Sequence, residues 1–317
     1  MPLSHAPNPR ALITEPIDET CLDWLSHRCD ISQTDLTQSD DALDGFDALV
    51  VRTYTQVDNT LLERLPDLRV VGRAGVGLDN VDLHACRARD IVVVHTPDAN
   101  TDAVVEHTIA CVLDGLRPRL RLDSAPDADS WKALRDSLVT PKQLGGATLG
   151  ILGLGRIGSR LARVARALDM RVIFHDIRPI PSAASGHAQS VPLDELLAHA
   201  DVLSIHVDGR PENRHLVDAT MLAQLKPDCV LINTSRGFVL NASHLARWLA
   251  ANPDASAFLD VHEPEPIPDD YPLLGLINAH LTPHVAAASA QAKRDMSWVV
   301  RDVWAVLQGN EPRFRAV

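Results

Sequence analysis

Three apolar, strand-like runs in the C-terminal half end in groups that can hold an anion or move a proton. Ile232-Asn233-Thr234-Ser235-Arg236-Gly237 ends in a guanidinium, and Asp260-Val261-His262-Glu263-Pro264-Glu265-Pro266 is rich in carboxylates. Leu281-Thr282-Pro283-His284 places an imidazole after a third run. Singly, each has an ordinary reading: a surface ion pair for Arg236, a solvated acidic loop for Glu265, a structural role for His284 among 14 histidines. Together they supply a permanent cation, a carboxylate and an imidazole, the set needed to grip an acidic substrate and exchange a proton with it.

A fourth stretch specifies what lies beside them. Thr148–Leu152 is an apolar run of strand length, followed by the turn Gly153-Leu154-Gly155-Arg156-Ile157-Gly158. Apolar residues then recur at helical spacing (Ile157, Leu161, Val164, Ala165, Leu168), and a second run from Val172 to Phe174 leads to Asp176. Strand, glycine turn, helix, strand and acid, in that order, form a dinucleotide-binding pattern. Gly153 permits the tight turn, Gly155 lets a pyrophosphate approach the backbone, and Gly158 lets the helix pack closely. The free N–H groups at the start of the helix hold the phosphates. Asp176 can accept from a ribose 2′-hydroxyl and repels a 2′-phosphate, which favours NAD over NADP; nearby Arg178 weakens that preference without reversing it.

These groups need strand ends to carry them. Residues 1–98 alternate apolar runs (Ala11–Thr14, Ala48–Arg52, Arg69–Arg73, Ile91–His95) with helical patterns near Glu19–Ser26, Asn59–Leu65 and Val81–Arg89. Such alternation predicts a parallel sheet with helices on its faces and ligand loops at the carboxyl edge. Two loops stand out there, Arg52-Thr53-Tyr54-Thr55 and Arg73-Ala74-Gly75-Val76-Gly77-Leu78-Asp79-Asn80. The second reads either as a plain tight turn or as a backbone cradle for a carboxylate.

A long helix is expected from Asn100 or Thr101, followed by a polar, Pro-containing crossing from about Pro118 to Lys142 that docks through Trp131 and Leu134. The second series has strands at Thr148–Leu152, Arg171–His175, Val202–His206, Val230–Asn233, Ser256–Leu259 and Leu281–Thr282. Its helices are expected at Ile157–Leu168, Leu193–Ala200, Ala219–Leu225 and Ala242–Ala251. Ser289–Leu307 reads as one final helix, striped by Ala292, Met296, Val299, Val300, Val303 and Val306 and packed on the first domain. The expected fold class is α/β, with two doubly wound parallel-sheet domains. A Rossmann-type dinucleotide-binding domain (99–287) is inserted in a flavodoxin-like substrate domain (1–98 plus 288–317).

A net charge of −12 argues against nucleic acid or an anionic membrane as main partner. Five cysteines without CxxC spacing suit reduced thiols in the cytoplasm, and no apolar run has membrane-spanning length. The N-terminus shows no signal-peptide pattern.

Five segments resemble the NAD-dependent D-2-hydroxyacid dehydrogenases, particularly their 3-phosphoglycerate dehydrogenase-like branch. They are VGRAGVGLDNVD (71–82), LGILGLGRIG (149–158), INTSRG (232–237), DVHEPEP (260–266) and LTPHVAAAS (281–289), spread over nearly the whole chain in the family's order. The resemblance implies that His284 is the acid/base, Glu265 its carboxylate partner and Arg236 the substrate-binding arginine. It further implies that Asp260 faces the nicotinamide amide, that Arg156 and Ile157 offer backbone to the pyrophosphate, and that His206, Val207 and Thr234 line the coenzyme. Ala74, Gly75 and Val76 match the carboxylate cradle, and Arg52 a position used by some members for the distal part of the substrate. Arg52 and Arg135 could each meet an anion or simply be solvated. Phosphoglycerate, hydroxypyruvate, glyoxylate and longer acids stay open as substrates. A homodimer through the helix from Thr101 and the segment after it is implied.

The chain departs from the family at His206-Val207-Asp208-Gly209, where Pro-Leu commonly follows the histidine. It departs again at His262, where an aromatic is usual and packing is the expected role, and at Ala286 and Ala287, which replace glycines and narrow the nicotinamide pocket. Ending at Val317, the sequence leads to the expectation that the regulatory domain of longer phosphoglycerate dehydrogenases is not used. The alternative reading is an NAD(H)-sensing protein of the corepressor type on the same scaffold.

Overall fold

The computed structural model describes residues 8–34, 36, 43–117 and 119–317. Two compact units emerge: Met1–Asn100 with Ala288–Val317, and Thr101–Ala287.

In the first unit, β1 (Arg10–Ile13), β2 (Asp30–Gln33), β3 (Ala48–Val51), β4 (Val70–Arg73) and β5 (Val92–His95) form a parallel sheet ordered β2-β1-β3-β4-β5. This is the flavodoxin-like order. β2 was not among the expected strands. Its only large aliphatic residue is Ile31, and it pairs along the edge with β1 through backbone groups instead of through an apolar run. The helices α1 (Glu19–Ser26), α2 (Asn59–Glu63) and α3 (Leu83–Ala88) each start at an aspartate, Asp18, Asp58 or Asp82, whose side chain accepts a first-turn N–H.

Both faces of this sheet are covered, as parallel sheets require. Leu12, Leu49, Val51, Val71 and Val93 pack with α2 and α3, while Ala11, Ile13, Val50, Val70 and Val94 pack under the C-terminal helices. The expected single helix from Ser289 to Leu307 is two: α10 (Ala290–Ser297) and α11 (Val299–Leu307), broken at Trp298 with φ −65° and ψ 0°. The break has a physical reason. Ser297 Oγ accepts from Asp18 N at 2.9 Å, tying α10 to the start of α1, while α11 buries Val299, Val300, Val303 and Leu307 on the sheet. Each such aliphatic stabilises by about 1.5–3 kcal/mol relative to exposure. A Cβ at Gly72 would lie 2.4 Å from Val303 Cγ2, so α11 seats directly on the β4 backbone.

The second unit has seven parallel strands: β6 (Thr148–Leu152), β7 (Arg171–His175), β8 (Gln189–Ser190), β9 (Val202–Ile205), β10 (Val230–Asn233), β11 (Ser256–Leu259) and β12 (Ala279–Leu281). Their order is β12-β11-β10-β9-β6-β7-β8, a Rossmann arrangement with one added strand, whose order reverses between β6 and β9. Helices α4 (Thr101–Leu116), α6 (Arg156–Ala167), α7 (Leu193–His199), α8 (Ala219–Leu222) and α9 (Ala242–Ala251) flank it, over two apolar clusters.

The crossing after α4 contains an unexpected helix, α5 (Ala128–Ser137), capped by Asp127 Oδ1 accepting from Ser130 N at 2.8 Å. Trp131 does not dock as expected. It stays 50% exposed and α5 has no buried residue, because no described residue covers its few apolar side chains. Lys142 then anchors the return, with Nζ 2.7 Å from Asp201 Oδ1 and 2.8 Å from Asp228 Oδ2. The five cysteines are buried and free; burial pushes Cys21 up to about 12 and Cys29 up to about 11. No helix among the described residues is long and apolar enough to cross a membrane.

Candidate active site

Because the strands of the second unit are parallel, their carboxyl ends share one edge. Gly153 follows β6, Asp176 follows β7, His206 follows β9, Thr234 follows β10, Asp260 follows β11 and Thr282 follows β12. The glycine turn has the geometry its spacing promised. Gly153 has φ +91°, and a Cβ on it would come 2.9 Å from His206 C and O and Val207 N, so conformation and space both exclude a side chain. A Cβ on Gly158 would lie 2.5 Å from Gly153 O, which seats α6 against the turn. At Gly155 a Cβ would meet nothing within 4 Å, and no side chain caps α6 there. The helix therefore begins at Arg156 and Ile157 with open backbone, the arrangement that takes a phosphate.

Asp176 is more enclosed than its sequence position suggested. Its Oδ2 accepts from Leu154 N at 2.8 Å, bridging β7 to the glycine turn, and its Oδ1 accepts from Arg178 N at 2.9 Å. The Arg178 guanidinium adds bonds of 3.2 and 3.3 Å, leaving the Asp176 side chain 5% exposed. Burial works to raise its pKa, but these donors outweigh it and the carboxylate is held below its ordinary value.

Three buried polar atoms on the same edge have no partner among the described residues: Thr234 Oγ1, His206 Nδ1 and His262 Nδ1. The other ring nitrogen of His206 bonds Ser204 Oγ at 2.8 Å, and burial pushes the ring down to about 4, so it is neutral. Unpaired hydroxyl and imidazole nitrogen beside an uncapped helix start fit a polar coenzyme.

The chemistry-bearing side chains are organised by residues that sequence reading did not select. Asn233, 1% exposed at the end of β10, accepts from Ser235 N and Ser235 Oγ and donates to Arg236 O, shaping the turn that bears the guanidinium. Arg236 Nη1 donates to Ser235 O at 2.7 Å. His284 Nδ1 lies 2.8 Å from Glu265 Oε2, and Glu265 Oε1 accepts from His262 N at 2.8 Å. With Nδ1–H donated to the carboxylate, Nε2 is the nitrogen available for chemistry. His262 has the packing role expected: its Nε2 meets Thr282 O at 2.9 Å and its ring stands edge-on to Tyr271.

His284 has φ +56°, a left-handed conformation that costs a non-glycine residue about 1–3 kcal/mol. Asp260 holds it there. This carboxylate, 1% exposed, accepts from Thr282 Oγ1 at 2.6 Å, Val285 N at 2.7 Å and Ala286 N at 2.7 Å, clamping both sides of His284. Asp260, expected from the resemblance to face the nicotinamide, is seen here to fix the histidine loop.

The pair's electrostatics are mutual. The Glu265 hydrogen bond, working against burial, raises the His284 pKa, while the Arg236 charge opposes protonation. Burial works to raise Glu265, but the bonds from His284 and His262 N outweigh it and lower the net value. A raised histidine stabilises below its unfolded pKa and loses that contribution as pH rises through the folded value. A lowered glutamate stabilises above its unfolded pKa and loses it as pH falls. Their joint contribution is complete between the ordinary values of 4.5 and 6.5.

In the first unit, the expected cradle is narrower than its three residues. Ala74 N donates to Val51 O at 2.8 Å as part of the sheet, and Gly75 N donates to Arg73 O at 2.8 Å. Val76 alone of the three keeps an N–H without a partner among the described residues. Arg52, after β3, places Nη1 at 3.2 Å from Pro16 O.

Residues 109–286 match the family model described as D-isomer specific 2-hydroxyacid dehydrogenase, NAD binding domain. The chain is 38% identical over 301 residues to an (S)-sulfolactate dehydrogenase of Chromohalobacter salexigens, covering 92% of this chain and 96% of that one. It is 32% identical to a D-3-phosphoglycerate dehydrogenase of Archaeoglobus fulgidus over 92% of its length, but spans only 56% of that protein. The crystal structure of an NADPH-dependent glyoxylate/hydroxypyruvate reductase from Sinorhizobium meliloti, with NADP and malonate, aligns at TM-score 0.81 and 30% identity, covering 98% of this chain and 97% of that one. The chain belongs to the D-isomer specific 2-hydroxyacid dehydrogenase family.

Proposed function

We propose that this protein interconverts a D-2-hydroxy acid and its 2-keto acid using NAD(H). The observation that carries the reading is the 2.8 Å His284–Glu265 contact on the sheet edge that also bears the glycine turn and Arg236. Bound NAD(H) would supply hydride-transfer chemistry at C2 of the substrate. His284 Nε2 accepts the hydroxyl proton in oxidation and donates it in reduction. Glu265 fixes the ring and stabilises its charged form. Arg236 forks onto the substrate carboxylate and sets C2 in place. Thr234, His206, Val207 and the α6 backbone at Arg156 and Ile157 hold the coenzyme, and Asp260 meets its amide.

Candidate substrates are 3-phosphoglycerate and the hydroxypyruvate/glyoxylate pair. NADH oxidation with glyoxylate, hydroxypyruvate and 3-phosphonooxypyruvate tests the reading, and absence of turnover with every 2-keto acid would remove it. The sensor alternative has no support from the relatives named above, which are dehydrogenases and reductases. The five buried, unpaired cysteines support a cytoplasmic setting. We further propose a homodimer through α4 and the segment after it, where Leu120, Trp131 and Val139 are exposed at 50, 50 and 78%. A monomeric mass by light scattering at micromolar concentration would exclude it.

Keto-acid reduction needs protonated His284, so kcat/KM for reduction falls as pH rises through its raised pKa. Glu265→Gln removes the support for that charge, and the falling limb should move to lower pH by ~1 unit or more. A pH–rate profile checks it; an unmoved limb would detach the limb from this pair. Asp176→Ala should weaken NADH and narrow its advantage over NADPH by roughly 10-fold, read by titration of both coenzymes. If the native protein already binds NADPH as tightly, the role given to Asp176 is wrong.

A further inference from the structure

The loop that follows β9, residues 206–216, is braced from within. Asn213 Nδ2 donates to Asp208 O at 2.9 Å and to Asp208 Oδ1 at 3.0 Å, while Asn213 N and Arg214 N donate to Arg210 O and Pro211 O, both at 3.0 Å. Its far end is fastened to the β10 loop, where His215 N donates to Phe238 O at 2.8 Å and Val217 N to Val239 O at 3.0 Å. At its start the His206 and Val207 backbone abuts the glycine turn, 2.9 Å from where a Gly153 Cβ would sit.

From this base one side chain reaches the loop of the acid/base pair. Arg214 Nη2 donates to Glu263 Oε1 at 2.7 Å and Arg214 Nη1 to Glu263 Oε2 at 2.9 Å, a two-bond fork. The guanidinium carbon also lies 5.3 Å from the centre of the Phe238 ring, two residues beyond Arg236. Glu263 stands between His262 and Glu265, which are themselves joined by the 2.8 Å bond from His262 N to Glu265 Oε1. Arg214 thus touches the turn that carries Arg236 and the loop that carries Glu265. The Arg214 and Glu263 side chains are 55% and 39% exposed, and an exposed pair adds little stability. What a bidentate fork supplies is direction, since both bonds form only when guanidinium and carboxylate lie in register.

We propose that Arg214 is a positioning residue for the proton transfer: by forking onto Glu263 it holds the 262–265 turn so that Glu265 keeps its bond to His284. This rests on the dehydrogenase reading above. The charged groups that act on His284 are Glu265 and Asp260 after β11, which favour its protonation, and Arg236 after β10, which opposes it. The sign of the response separates positioning from bare charge. Removing a cation, by charge alone, raises the pKa of a nearby histidine. Loosening the Glu265 bond lowers it, because that bond is the main cause of its elevation.

The test compares wild type with Arg214→Gln, Arg214→Lys and the Arg214→Gln/Glu263→Gln double variant. Arg210→Gln is the control, a cation of the same loop whose own fork stays within it, on Asp208. The His284 pKa is read twice. One reading is the falling limb of kcat/KM for keto-acid reduction; the other is NMR titration of histidine-labelled protein, with His284→Asn identifying the resonance. Arg214→Gln should move both to lower pH by ~0.5 unit or more and cut kcat by ~3–10-fold, with NADH affinity held within about threefold. Arg214→Lys keeps the charge without the fork and should give at least about half that shift. The double variant removes one charge of each sign and should still shift downward, by at least as much as Arg214→Gln. Arg210→Gln should leave both readings within ~0.2 unit of wild type. An upward or absent shift in Arg214→Gln, wild-type behaviour in Arg214→Lys, an unshifted double variant or an equal shift in Arg210→Gln would each overturn the proposal. So would a lower melting temperature with both readings unmoved, the mark of a merely structural role. A wild type inactive with every 2-keto acid would overturn the dehydrogenase reading, and the NMR titration would still decide the role of Arg214.

Discussion

Replacing His284 by Ala is expected to lower kcat for keto-acid reduction by ~10²–10⁴-fold while NADH affinity stays within about threefold. Glu265 holds one ring nitrogen of His284 at 2.8 Å, which leaves Nε2 for the proposed proton exchange. The histidine's backbone demands a second variant. At φ +56°, alanine is strained, whereas asparagine tolerates the left-handed region. His284→Asn should therefore keep the loop folded and still lose the proton transfer. Steady-state rates beside a fluorescence titration of NADH separate the two effects. Near-normal turnover in the asparagine variant would remove His284 as acid/base.

Gly237→Ala should be the most damaging single methyl in the second unit. Its Cβ would sit 2.0 Å from both C and O of His262 and 2.6 Å from its Cα, all backbone that cannot swing aside. The β10 and β11 loops would have to part, separating the turn bearing Arg236 from the one bearing Glu265. A cost of about 2–4 kcal/mol follows, or a melting-temperature drop of roughly 5–15 °C, with activity falling in parallel. Gly155→Ala is the matched control, since its Cβ meets nothing within 4 Å. Equal melting temperatures for the two variants would show that the close approach at Gly237 is not a constraint.

What the sequence disclosed, and what it hid, divides along physical lines. Long apolar runs such as Val202–Ile205 and Val230–Asn233 announced buried parallel strands because both faces of such strands are covered. β2, with Ile31 as its only large aliphatic, did not, because edge pairing is decided by backbone groups that no side-chain pattern records. The glycine turn was legible since each glycine answers a steric demand. The roles of Asn233, Asp260 and Asn80 in holding loops were not, because a buried polar residue is placed by partners distant in sequence: Asp260 by residues 282–286, Asn80 by residues 52–55. Asp-rich strand ends and the Asp79-Asn80 pair were the available signals. The break at Trp298 was hidden for the same reason, since the stripe through Val299 and Val303 continues helical spacing across it.

The seating of α11 on Gly72 carries a consequence for biogenesis. The helix that closes one face of the first sheet leaves the ribosome only after all of Thr101–Ala287. At about 5–20 residues per second, the early strands wait on the order of ten seconds or more with Val50, Val70 and Val94 uncovered. The inserted unit is synthesised in full before that cover arrives. The nascent N-terminal half of the chain is the stretch that a chaperone would be called on to shield.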